Sequence, residues 1–258
     1  MLRLRSMIRL WLFLALVCAA PLAQAAADAE AINLAGQQRM LSQRIVKSWC
    51  QIGLNVQPAL SKRQLDESVR RFDENLKALE SAAAGSAARG ALAGLLAAWA
   101  PLRTSALGVI RQADAALLDA RAEDVLMAAE RLTRMLQDQS AVPVSRWVNL
   151  AGRQRMLSQR LVKVYMLRQW GVDNARLRDE LESVQNEFSG ALASMQQRAG
   201  NSEALREEID KLALQWEWLR TALATEGAES FRLILAEGGD AVLELADQVT
   251  LLYQQSAP

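Results

Sequence analysis

Residues 33–47 read NLAGQQRMLSQRIVK, and residues 149–163 read NLAGRQRMLSQRLVK. Thirteen of the fifteen positions agree, at an offset of 116. Phe72 and Leu76 return at the same offset as Phe188 and Leu192, and Leu136 and Ala141 as Leu252 and Ala257. Trp99, Leu102, Arg103 and Thr104 return at 117 as Trp216, Leu219, Arg220 and Thr221. Markers spread over the whole unit mean that the unit itself was duplicated, not only one motif. The chain therefore reads as two tandem modules, one over 28–141 and one over 142–257.

Each copy is rich in Ala, Leu, Gln, Glu and Arg and poor in β-branched runs, which favours helices over strands. The first copy predicts helices near Asp28–Ile52, Ser61–Ala83, Arg89–Gln112 and Arg121–Gln139. The second predicts them near Val144–Trp170, Asn174–Arg198, Ser202–Thr225 and Glu229–Gln255. Pro101 falls inside the third of these and predicts either a kink or a nearer helix end. Short connections between helices of this length make neighbours antiparallel, so each copy is an all-α, up-down-up-down four-helix bundle. Trp216 and Trp218 read as packing and rim residues.

The amino terminus predicts export. Arg3, Arg5 and Arg9 lead an apolar run from Leu10 to Val17, and Ala23-Gln24-Ala25 is the small-x-small pattern of a signal-peptide cleavage site. Residues 1–25 are thus expected to be a cleaved leader, with an uncleaved anchor as the alternative and a bacterial periplasm as the destination. Loss of three arginines from a chain of net charge +1 leaves −2, which offers nucleic acid no basic footprint. Histidine is absent, which removes His-based triads, His metal sites and imidazole switching. Cys50 would be the one cysteine left after cleavage. It reads as a small buried residue, or less simply as a thiol linking two chains. No Gly-rich phosphate loop or metal-ligand cluster appears, so the chain reads as a non-enzyme that needs no cofactor.

The first helix of each copy carries the functional signal. One heptad-spaced seam, Leu34, Leu41, Ile45 and Ile52, mirrored by Leu150, Leu157 and Leu161, is an ordinary core stripe. The neighbouring seam runs Ile32, Gly36, Arg39, Gln43, Val46 and Cys50, mirrored by Val148, Gly152, Arg155, Gln159, Val162 and Met166. Its ends are apolar and its middle is Gly-Arg-Gln. A glycine inside a helix costs about 1 kcal/mol against alanine, so it implies a close approach by a backbone or a small ligand. An arginine in such a seam cannot shed its charge and needs a partner. No acid lies within a turn on the same face, so that partner is a carboxylate from another helix or a bound anion. Arg44, Lys47, Arg160 and Lys163 lie on other faces and read as solvated charge.

The stretches Asp28–Met40 and Val148–Met156, with Asn, Ala-Gly and Arg-Met at fixed spacing, resemble the ligand-binding first helix of the NarX/NarQ nitrate sensor kinases. They are similar also to the PilJ-type sensing domain of some chemotaxis transducers. The resemblance implies a periplasmic, helical module in which two arginines clamp one nitrate or nitrite between two first helices. By position these would be Arg39 and Arg155, with Gly36 and Gly152 opening the surface and Gln43 and Gln159 as added donors or mere polar spacers. It also implies a membrane receptor or sensor kinase as partner, and leaves a homodimer possible.

An even number of antiparallel helices returns the chain to its starting end, so both first helices can run parallel about a pseudo-two-fold axis. Two guanidiniums about 6 Å apart repel by roughly 3 kcal/mol at an effective dielectric near 20, which a planar monoanion would relieve. The competing arrangement stacks the bundles end to end. The competing function is a helical protein-interaction module of a chemotaxis or two-component system that binds no small ligand.

Overall fold

The computed structural model describes residues 2–83, 85–140, 145–172, 174–224 and 230–256, with side chains from residue 26 onward except at 86 and 230. Eight α-helices account for nearly all of them: α1 Leu2–Gly53, α2 Pro58–Ala82, α3 Ser86–Ala106, α4 Ala115–Gln139, α5 Ser145–Gln169, α6 Ala175–Gln196, α7 Glu203–Ala224 and α8 Ser230–Gln255. A single 3-10 turn, Gln112–Asp114, precedes α4, and there is no strand among the described residues. The chain is all-α, as its composition predicts.

Local chemistry sets the ends. Pro58 occupies the first turn of α2, where a missing N–H costs nothing, after a turn in which Asn55 and Gln57 take positive φ. Gly171 follows α5 at φ 87°, and the N–H of Val172 donates to Leu167 O at 2.9 Å in a Schellman closure. Asn174 caps α6 by accepting from the Leu177 N–H at 3.0 Å.

Three expectations are corrected here. Helix α1 begins at Leu2 rather than Asp28, so its backbone continues through the expected leader, whose side chains lie outside the described residues. No helix among the described residues is long and apolar enough to cross a membrane. Helix α3 stops at Ala106, not Gln112, and α4 starts at Ala115, not Arg121. Gly108 and the β-branched Val109 and Ile110 break the helix that the period alone would extend. Pro101 sits inside α3; the carbonyl it deprives of a donor belongs to exposed Ala97, within reach of water.

Within each module the first helix packs on the second and the last: α1 on α2 and α4, α5 on α6 and α8. The two modules meet through α1 and α5, which pack along each other. They run parallel and in register, because Arg155 reaches Asn33 near one end and Trp49 meets Trp170 at the other, ring centroids 5.2 Å apart. The side-by-side arrangement is therefore the one found, and the end-to-end stack is not. Residues 38–43 and 154–159 are buried without interruption. An amphipathic helix buries one stripe; six successive buried residues mean a helix enclosed on every side. Each outer face is closed by a stacked aromatic pair at repeat-related positions, Phe72–Trp99 at 3.8 Å and Phe188–Trp216 at 3.9 Å. Trp216 is fully buried and Trp218 is half exposed at the rim, as expected of them.

Candidate functional site

The joint between α1 and α5 brings Arg39 and Arg155 together. Both side chains are completely buried. A Cβ on Gly36 would stand 3.1 Å from Nη2 of Arg39 and 3.7 Å from Nη2 of Arg155, so the two nitrogens cannot be farther apart than the sum of those distances, 6.8 Å. A Cβ on Gly152 would stand 3.0 Å from Nη2 of Arg155. The glycines thus make room for guanidinium groups, each turned back over the helix turn before it.

Each arginine is already compensated. Arg39 Nη1 donates to Glu130 of α4 at 2.5 Å, and its Nη2 donates to Asn149 Oδ1 of α5 at 2.8 Å. Arg155 Nη1 donates to Asp247 of α8 at 2.6 Å, and its Nη2 donates to Asn33 Oδ1 of α1 at 2.7 Å. Every arginine therefore takes a carboxylate from its own module and an amide oxygen from the other. Only the two Nε–H groups are buried without an acceptor among the described residues. Burial, with Arg153 and Arg155 nearby, holds Arg39 below its ordinary pKa despite Glu130. Burial does the same to Arg155 despite Asp247. Both still carry charge at any ordinary pH, since a guanidinium starts so high. Burial would raise Glu130, but Arg39, Arg153 and Arg134 outweigh it and hold the carboxyl below the usual range.

Gln43 and Gln159 lie one turn further, both buried. Gln43 Nε2 donates to Ser42 Oγ at 3.1 Å, and Gln159 Nε2 donates to Gly239 O at 3.1 Å. Their Oε1 atoms lack a donor among the described residues, and neither side chain is seen bonding to an arginine. Cys50 is fully buried and its thiol is pushed up by burial, which fits the small apolar role better than a thiol linking two chains.

The reading of Lys47, Lys163 and Arg160 as solvated charge is overturned. Lys47 is fully buried and pairs with Asp240 of α8. Lys163 is fully buried against Asp119, Glu123 and Glu180, at 2.8, 2.7 and 3.3 Å. Arg160, one-fifth exposed, bridges Glu123 and Glu180. Arg44 is half-buried beside Asp240. Heptad geometry assigns these residues to outer faces of an isolated bundle, but the second bundle covers those faces. Burial depresses Lys47, whereas the three carboxylates around Lys163 outweigh burial and hold it above its ordinary value.

Sequence reasoning missed Asn33 and Asn149, although each heads its fifteen-residue repeat. It also missed the acids, which lie about ninety residues from the arginines they serve and carry no local signature.

Two like bundles fused through their first helices, with charge buried and balanced at the joint, define a tandem four-helix module. The model of the PilJ family, described as the N-terminal domain of type IV pili methyl-accepting chemotaxis transducers, matches residues 21–125 and 138–250. The chain belongs to that family, in two copies, and so to the signalling sensor modules. No curated protein and no solved structure matches it.

Proposed function

We propose that the chain is a non-catalytic signalling module, exported to the periplasm, that works by contact with a membrane receptor or sensor kinase. The observation that carries this reading is the closed charge balance at the joint. Arg39 and Arg155 are each held by a carboxylate and an asparagine, so the buried positive charge needs no guest. In that reading the two modules form in one chain the paired unit that a receptor's helices can dock against, with residues 28–141 and 142–257 as its halves.

A second reading keeps nitrate or nitrite as the ligand, and two observations favour it: the close approach of the two guanidiniums, and their Nε–H groups, which have no acceptor among the described residues. The anion would have to displace carboxylates. Asp247, 43 % exposed, can turn to water, and Glu130 keeps Arg134 and Arg153 when it releases Arg39. Gly36 and Gly152 would leave the space, and Gln43 and Gln159 would donate. Binding would then loosen α4 and α8 from the first helices, which shifts the bundle only by the difference in affinity between the two packings.

Calorimetry with nitrate, nitrite and chloride separates the two. Saturable nitrate heat that vanishes in Arg39→Ala and in Arg155→Ala supports the ligand reading. No anion heat, with a membrane transducer or kinase retained on the immobilised full chain, supports the contact reading. Absence of both outcomes overturns it.

A further inference from the structure

A concavity lies where α1 ends, beneath the connection between α3 and α4. Its volume is about 220 Å³, and Trp49, Arg121, Leu117, Leu118 and Val109 are among its lining residues. The polar groups there are one-sided. Trp49 is buried, and its Nε1–H has no acceptor among the described residues. Arg121 Nη1 meets only neutral oxygens, Ser105 Oγ and Pro101 O, and pairs with no carboxylate among the described residues. The rim cation Arg111 is already balanced by Asp114, whose carboxylate accepts from its Nε at 2.7 Å. The concavity therefore holds one positive charge met by neutral oxygens but by no carboxylate, and one donor without an acceptor, among the described residues. Leu118 forms an apolar floor, and Leu117 and Val109, 51 % and 76 % exposed, form a lip.

The second copy lacks these features. At the repeat offsets Trp49 becomes Tyr165, Ser105 becomes Ala222, and Arg121 becomes Glu237. Glu237 accepts instead from Gln57 Nε2, at 2.8 Å. A duplicated scaffold in which one copy carries donors and the other a reversed charge points to one site per chain, not to a structural requirement of the fold.

We propose that this concavity binds a small organic carboxylate with an apolar body. The carboxylate is received by Arg121 and by the indole N–H of Trp49, both of which line the concavity. The body lies on Leu117 and Leu118. The volume is below the roughly 300–1,000 Å³ of sites for drug-sized ligands, which limits the guest to about the size of benzoate. Trp49 also packs on Trp170 of the second module, so the guest lies one ring away from the joint.

The test uses the full chain labelled with ¹⁵N in its seven tryptophans, Trp49→Phe identifying the Trp49 indole resonance. Benzoate is expected to move that resonance saturably, and neutral benzamide is not. Arg121→Gln is expected to weaken benzoate by about tenfold or more, the loss of one charge-assisted contact. No movement in benzoate overturns the proposal, as does an equal response to benzamide, undiminished binding by Arg121→Gln, or a uniform response of all the indoles. Should Arg121→Gln lose its helical signal, Trp49→Phe, which keeps a ring and deletes the N–H, carries the comparison by benzoate calorimetry: weakened heat supports the site and unchanged heat overturns it.

Discussion

Arg39 has no exposed surface and no means of losing its proton, so its stability rests on Glu130 and Asn149. The two partners are not equally dispensable. Glu130→Ala strips a fully buried cation of its carboxylate and is expected to cost about 3–5 kcal/mol in urea unfolding, the range for breaking a buried pair from one side. Arg39→Met is expected to cost clearly less, because Glu130 is 18 % exposed and keeps Arg134 and Arg153. Equal losses would contradict the geometry. The need for a partner was legible in the sequence, from an arginine set in an apolar seam. Which partner was not, because Glu130 lies 91 residues away and only chain folding brings it near.

The helices meet at distances that glycine sets. A Cβ on Gly239 of α8 would stand 2.3 Å from Cγ2 of Val162 on α5, a stiff β-branched side chain, with Ser158 O 3.7 Å away. Gly239→Ala is expected to lower stability by about 1–3 kcal/mol through overpacking, read as a lower denaturation midpoint. Gly190 of α6 has nothing within 4 Å of its Cβ position, so Gly190→Ala should gain about 0.5–1 kcal/mol from helix propensity alone. Trp216→Ala removes the ring stacked on Phe188 in a fully buried site and should cost about 3–5 kcal/mol. Both aromatic pairs were visible beforehand as repeat markers, Phe72 with Phe188 and Trp99 with Trp216. That each Phe stacks on its Trp was not, since periodicity places a residue on a face without naming what it touches.

Charge buried between the modules makes the molecule's stability depend on pH. Asp119, Glu130, Glu180 and Asp240 are all held below the usual carboxylate range, because neighbouring cations outweigh the upward push of burial. A carboxyl depressed in the folded state contributes stability that is present above its unfolded value and lost as pH falls through the folded one. Thermal melts followed by circular dichroism should therefore fall steeply below about pH 4. Lys163 is raised, so its contribution is intact below about pH 10 and lost above it. Lys47 is depressed and opposes that alkaline loss, which leaves the acid limb as the sharper test. A flat melting temperature down to pH 2 would contradict the network. Separation of the modules is a further check. Residues 26–140 alone expose the α1 face that α5 covers, and the near-identity of α1 and α5 over fifteen residues offers a ready substitute. The isolated first module is expected to sediment as a dimer, and a monomer would show that the joint is not self-complementary.

Duplication, helical class and the two seams of each first helix were determined by the sequence alone, since identity at a fixed offset and a heptad period are properties of the string. Side-by-side packing was decided only by the tertiary structure. With it came the enclosure of α1 and α5 on all sides, the burial of Lys47 and Lys163, and the asparagines that meet Arg39 and Arg155 from the opposite module. The physical reason is that burial depends on what covers a face. A period shows which residues share a face, but the second bundle covers faces that a single bundle would leave in water.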